Sequence, residues 1–184
     1  GFISAAVGIH PNFGRPWTRD LLDTLKQQAA NQSVVAIGEI GLDYYRQHTP
    51  VPQQRRMFKE QLALAAECSL PVIIHNREST QDLMQILTEW HASLETAGHP
   101  LAQRPGVLHS YSADLETAQT AMEMNFRIGI SGPVTFNNAP DRKSVTRNLP
   151  LESILLETDA PFLTPHPHRG KRNEPAYTAH TARK

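Results

Sequence analysis

Cysteine is nearly absent from this chain. Cys68 stands alone, so no intrachain disulfide forms. A single thiol fits a reducing compartment, and the cytoplasm is the expected location. A charge imbalance is missing too. Lys+Arg and Asp+Glu number 18 each, so no whole-chain field draws the protein to nucleic acid or to a membrane surface. Attraction to a polyanion would have to come from a local patch. No apolar run approaches the ~18 residues of a membrane-spanning helix. The opening GFISAAVGI has neither a basic start nor a cleavage signature, so it is not read as a signal peptide. It also lacks an initiator methionine, and the chain is expected to begin inside a longer protein. Short repeats and low-complexity tracts are absent. So is a GxGxxG turn: the first apolar run is followed by HPNFG, which is not a dinucleotide-binding fingerprint.

What the chain does contain is an alternation. Short Val- and Ile-rich runs occur at Ile3–Ile9, Val34–Ile37, Val72–Ile74, Val107–Leu108, Phe126–Ile130 and Ile154–Leu156. Gly or Pro bounds them, which reads as buried strands. Between them lie segments with helical spacing. Leu21, Leu22 and Leu25 mark one, and Phe58, Leu62 and Ala65 another. Leu83, Ile86, Leu87 and Trp90 mark a third, with Ser79 or Thr80 as its cap. Leu115, Ala118 and Met122 mark a fourth after Ser112, a second candidate cap. Strands alternating with helices predict parallel βαβ units, arranged as an open doubly wound sheet or as a (β/α) barrel.

The ends of the apolar runs carry the chemistry. The first run leads to His10, the second through Gly38 to Glu39, the third to His75 and the fourth to His109. The fifth leads to Ser131 and the last to Asp159. In a barrel all strand C-termini open on one face, where active sites are built. Imidazoles and carboxylates gathered there make a divalent-cation site of Zn, Mg or Mn type. Taken singly, a histidine at a strand end is more often a hydrogen-bonded rim residue, and an acid is more often a helix cap. Recurrence from strand to strand favours the metal reading. Pro161 is expected to stop the last strand, with Glu157 turned to the other side or behind a ligand histidine.

Five stretches, AIGEIGLDYY (36–45), PVIIHNRES (71–79), GVLHSYS (106–112), ISGPVTFNNA (130–139) and LLETDAPFLTPHPHRGKRNEPAY (155–177), resemble the TatD-related metal-dependent deoxyribonucleases, in order along the chain. GIHP (8–11) matches that family's third-strand motif. The resemblance implies a TIM-type α/β barrel of the metal-dependent hydrolase kind, spanning 1–184 as one domain. It implies divalent cations (Mg, Mn or Zn), two in the complete protein, and phosphodiester hydrolysis, as a 3′→5′ exonuclease on single-stranded DNA. By the same resemblance Glu39, His75, His109 and Asp159 are metal ligands. Glu39 would bridge two ions, and Asp159 would also serve as base. His10 would act in catalysis by contacting the substrate phosphate, with Arg77 and Arg169 as further phosphate contacts. Tyr44, Tyr45 and Tyr111 are candidate stacking residues or rim packing, on equal terms.

One departure stands out. The family's first-strand His-x-His pair does not occur before His10. The chain is therefore expected to hold strands three to eight, to be truncated at both ends, and to be incomplete against the about 250 residues of a typical barrel. An incomplete barrel would leave exposed strand edges and aggregate readily. Two other readings stay open: a metal-dependent amidohydrolase acting on small amides or esters, and an inert fragment that keeps the motifs without turnover.

Overall fold

The apolar runs become β1 (Ala5–Val7), β2 (Val34–Asp43), β3 (Val72–Arg77), β4 (Gly106–Leu108), β5 (Arg127–Ile130) and β6 (Ile154–Leu156). The segments between and after them hold α1 (Arg19–Ala29), α2 (Val51–Cys68), α3 (Thr80–Thr96), α4 (Leu115–Glu123), α5 (Pro140–Asn148) and α6 (Thr178–Ala182). The structure, a computed structural model, describes residues 3–14, 16–46 and 48–184. Gly1 and Phe2 of the opening run lie outside the described residues. The strands succeed one another in sequence order within one sheet, and β1 with β2, β2 with β3 and β5 with β6 pair in parallel. This is the α/β class that the alternation predicts. Among the described residues no helix is long and apolar enough to cross a membrane.

Two compact units make up the chain, one of residues 1–107 with 124–126 and the other of 108–123 with 127–184. In the first, β1 pairs with β2 and β2 with β3. The apolar stripes read from the sequence face inward. Phe58, Leu62 and Ala65 of α2 are buried, as are Leu83, Ile86, Leu87 and Trp90 of α3. Each large side chain fully buried this way contributes about 1.5–3 kcal/mol. Helix α2 closes on Ser69 in the left-handed region, whose N–H returns to Ala66 while that of Leu70 returns to Ala65. Ser79 stands at the N-terminus of α3, but its hydroxyl donates to the carbonyl of Leu42, tying the helix start to the end of β2. In the second unit, β5 pairs with β6 in register Ile128↔Ile154 to Ile130↔Leu156.

Three local expectations are corrected. Strand β2 does not stop at Ile37 nor β3 at Ile74, so Glu39, His75 and Arg77 lie within strands and not beyond them. The reason is that the ladder is made by backbone groups: Gly41 pairs with His75 and Asp43 with Arg77, whatever their side chains. Ser112 does not cap α4; Asp114 Oδ1 accepts the Thr117 N–H at 2.8 Å. Pro161 does not end β6, which stops at Leu156.

Candidate functional site

In the first unit β2 gains one residue against β3, since Ile37 pairs with Val72 but Ile40 with Ile74. The irregularity falls at Gly38–Glu39. Such a bulge re-aims a side chain, here a carboxylate. Beyond it Glu39, Gly41 and Asp43 alternate onto one face, with His75 opposite Gly41. Gly41 has φ +143°, and a Cβ there would collide with the His75 carbonyl. The outcome is a clamp on one imidazole. His75 Nδ1 lies 2.8 Å from Glu39 Oε1, and its Nε2 lies 3.2 Å from Asp43 Oδ2.

His10 sits against this clamp, its ring 4.3 Å from that of His75 and its Nε2 4.0 Å from Glu39 Oε1. The backbone N–H of Asn12 donates to His10 Nδ1 at 3.1 Å. That bond makes Nδ1 an acceptor and places the proton of a neutral ring on Nε2. Asp43 is 1% exposed. Burial alone would raise its carboxyl pKa. The Arg46 N–H, the Asn12 side-chain amide and His75 outweigh burial and hold it below the ordinary value.

The second unit repeats the device. His109 Nδ1 lies 2.7 Å from Glu157 Oε2 and its Nε2 2.9 Å from Asp159 Oδ1. Glu157 also accepts the Ser110 N–H. Gly129 makes room for it, since a Cβ there would stand 2.5 Å from Glu157 Oε1. Ser131, at the end of β5, shares a 2.7 Å hydroxyl contact with Ser110.

In each unit, then, one imidazole has a carboxylate at both nitrogens. A neutral ring donates one N–H only, and its other nitrogen would face a carboxylate lone pair to lone pair. A cation resolves that conflict, either a second ring proton or a metal ion between nitrogen and carboxylate. Nitrogen and oxygen donors with no thiolate fit Zn, Mg or Mn. Ligand atoms of His10, Asp43 and His75 lie within 4.8 Å of one another, close enough to share one ion. The His10 tautomer makes it the weakest member of that trio, because Nε2–H is a donor and not a ligand.

The residues expected from sequence thus fall into two groups. The structure brings Glu39, His75 and His10 together in the first unit, and His109 with Asp159 in the second. Arg77 and Arg169 lie on aromatic rings, Arg77 3.9 Å above Tyr45 and Arg169 3.8 Å above Phe136. Stacking uses the face of a guanidinium and leaves its in-plane N–H edge to reach an anion. Tyr111 is buried and donates its hydroxyl to the Asp114 carbonyl, which rules it out as a stacking platform. Tyr44 donates to Asp82 at 2.6 Å. Tyr45 keeps an exposed ring. Asp43 was missed. Its signal was the even spacing from Glu39, which puts two carboxylates on one strand face.

A family model described as TatD related DNase matches residues 1–184. The chain is 45% identical to the uncharacterized metal-dependent hydrolase YabD of Bacillus subtilis, over 98% of this chain and 68% of that protein. It is 34% identical to a 3′-5′ ssDNA/RNA exonuclease TatD of Pantoea ananatis, over 96% of this chain and 66% of that one. The crystal structure of the TatD homologue YJJV from Escherichia coli superposes with a TM-score of 0.86 at 33% identity, over 97% of this chain and 66% of that chain. The chain spans 60–68% of the length of the first curated relatives. By this match, and by the parallel α/β fold that positions its histidines and carboxylates, the chain belongs to the TatD-related DNase family of metal-dependent hydrolases.

Proposed function

We propose that the protein hydrolyses phosphodiester bonds of single-stranded DNA from the 3′ end, using divalent cations. The observation that carries this reading is the pair of carboxylate–imidazole–carboxylate clamps at His75 and His109. Glu39, His75, His109 and Asp159 are the proposed ligands of Mg, Mn or Zn, with two ions in the working enzyme. The bound cations supply Lewis acidity toward the attacking water and the phosphate charge. The chain's own groups do the rest. Asp159 takes the proton of the attacking water. His10 donates Nε2–H to a non-bridging phosphate oxygen, the role its Asn12 contact suits. Arg77 and Arg169 grip the anion through their in-plane edges, and Tyr45 offers an exposed face to a base. One family model over residues 1–184 supports a single functional domain. The name of the Pantoea relative supports both the nucleic-acid substrate and the polarity. The lone Cys68 suits a cytoplasmic enzyme.

The test is release of mononucleotides from 3′-labelled single-stranded DNA with Mg, Mn or Zn. Activity should vanish with EDTA. Asp159→Asn should lower kcat by about 10²–10⁴-fold, the range for loss of a general base. His75→Ala should weaken metal affinity, so that more metal is needed for activity. Release that ignores EDTA, or an Asp159→Asn variant as fast as wild type, would refute the proposal. Hydrolysis of cyclic amides in place of DNA would favour the amidohydrolase reading. That reading is disfavoured because, among the described residues, no strand ends on a lysine that could serve as a bridge. A chain that binds no metal in calorimetry would be the inert fragment.

A further inference from the structure

Asp159 stands in a segment with no helix or strand, between the end of β6 at Leu156 and the turn that begins at Pro175. Its backbone lies in the left-handed region, φ +58°. A non-glycine residue stays there only where its surroundings hold it. Local contacts make the turn: the Phe162 N–H donates to the Asp159 carbonyl at 2.7 Å, and the Ala160 N–H to Thr158 Oγ1 at 3.2 Å. They do not fix the turn to anything else.

Asn173 does. It is 2% exposed. Its side-chain amide donates to the Thr158 carbonyl at 2.7 Å and to the Phe162 carbonyl at 2.6 Å. Those two carbonyls bracket Asp159. The Asn173 backbone N–H donates to the Pro161 carbonyl at 3.0 Å, and Asn173 Oδ1 accepts the Glu174 N–H at 2.9 Å. Two donors and one acceptor on so short a side chain are the attributes of asparagine alone. Aspartate has no donor, serine has one, and glutamine is a methylene longer.

We infer that Asn173 is a positioning residue that clamps the 158–162 turn and so aims the Asp159 carboxylate at His109, 2.9 Å away. The inference rests on reading Asp159 as a metal ligand. The experiment separates the two. Mn²⁺ alone is titrated by calorimetry into metal-free wild type, Asn173→Asp, Asp159→Asn and the double variant. Asn173→Asp keeps the shape and the acceptor but sets oxygen against both carbonyls. Its Mn²⁺ affinity should fall about 10–100-fold, as for lost support of a ligand. In the Asp159→Asn background the same change should cost nothing more. Amide exchange should quicken at Ala160 and Phe162 while the β5–β6 amides keep their protection. If Asn173→Asp does not fold, Asn173→Ser, which keeps one donor, goes through the same cycle with a smaller loss. Unchanged affinity in either variant, or an equal loss in both backgrounds, would overturn the inference. Wild type that binds no Mn²⁺, or Asp159→Asn that binds like wild type, would remove the ligand reading of Asp159 and the inference with it.

Discussion

At the scale of single residues the two clamps share a design. His75 lies between Glu39 and Asp43, and His109 between Glu157 and Asp159. Residue type made Glu39, His75, His109 and Asp159 legible, because acids and imidazoles are conspicuous where apolar runs give out. The partners were harder to see. Asp43 reads as the first residue of a loop until the backbone ladder carries β2 out to it. For Glu157 the sequence leaves two places open, the other side of the strand or behind a ligand histidine, and its carboxylate lies against His109 Nδ1. A carboxylate on the far nitrogen of a ligand imidazole fixes its tautomer and orientation. Glu157→Gln removes that charge, and Gln cannot hold both His109 Nδ1–H and the Ser110 N–H as a carboxylate does. Metal affinity should fall about 10–100-fold, read by Mn²⁺ calorimetry, while the melting temperature changes little. A variant that binds Mn²⁺ like wild type would take Glu157 out of the site.

At the scale of elements, helix α2 is docked to the segment before α1 by a pair that titrates. Trp17 Nε1 donates to Glu60 Oε2 at 2.6 Å, and Arg56 Nε donates to Glu60 Oε1 at 2.7 Å. Burial pushes the Glu60 carboxyl up, but the Arg56 and Trp17 hydrogen bonds outweigh it and hold its pKa below the ordinary value. A lowered folded pKa gives stability that is present above the unfolded value, about 4.3, and is lost as pH falls through the folded value. Trp17 emission in wild type should therefore shift in an acid titration starting near that pH. Glu60→Gln should flatten this shift, and an unchanged titration would show that the pair carries no linkage. The helices themselves were legible: the stripes at Phe58, Leu62, Ala65 and at Leu83, Ile86, Leu87, Trp90 are the buried ones. Helix α5 was not, since Val145 is its one buried side chain and no stripe marks it. Strand lengths were not legible either. Apolar patterning reports where side chains are buried, and in β2 the buried Ile40 and Leu42 alternate with Glu39, Gly41 and Asp43, while backbone pairing carries β3 on through His75 to Arg77.

At the scale of the whole molecule, neutrality and exposed apolar surface decide behaviour. With 18 charges of each sign, affinity for DNA must come from local groups such as Arg169. Arg169→Ala should weaken single-strand binding and reduce its salt slope by about one phosphate's worth, in fluorescence anisotropy at several salt concentrations, with Mn²⁺ affinity intact. The same neutrality offers no repulsion between copies. Strands β1 and β6 stand at the two ends of the strand order. Parallel strands are ordinarily covered on both faces, yet Ala5 and Ala6 of β1 are exposed, as is Val35 beside them in β2. In the second unit Leu155 and Leu156 of β6 are 47% and 48% exposed, with Leu151 at 83%. An apolar end strand is a template for pairing with another chain. The 184-residue chain should therefore self-associate as its concentration rises, giving faster-sedimenting species and a broad melt. Leu155→Lys places a charge on that strand without touching Glu157 or Asp159, and it should shift the distribution toward monomer while leaving Mn²⁺ binding unchanged. A wild-type chain that stays monomeric across the concentration series and melts sharply would show that these strands are protected by something other than burial.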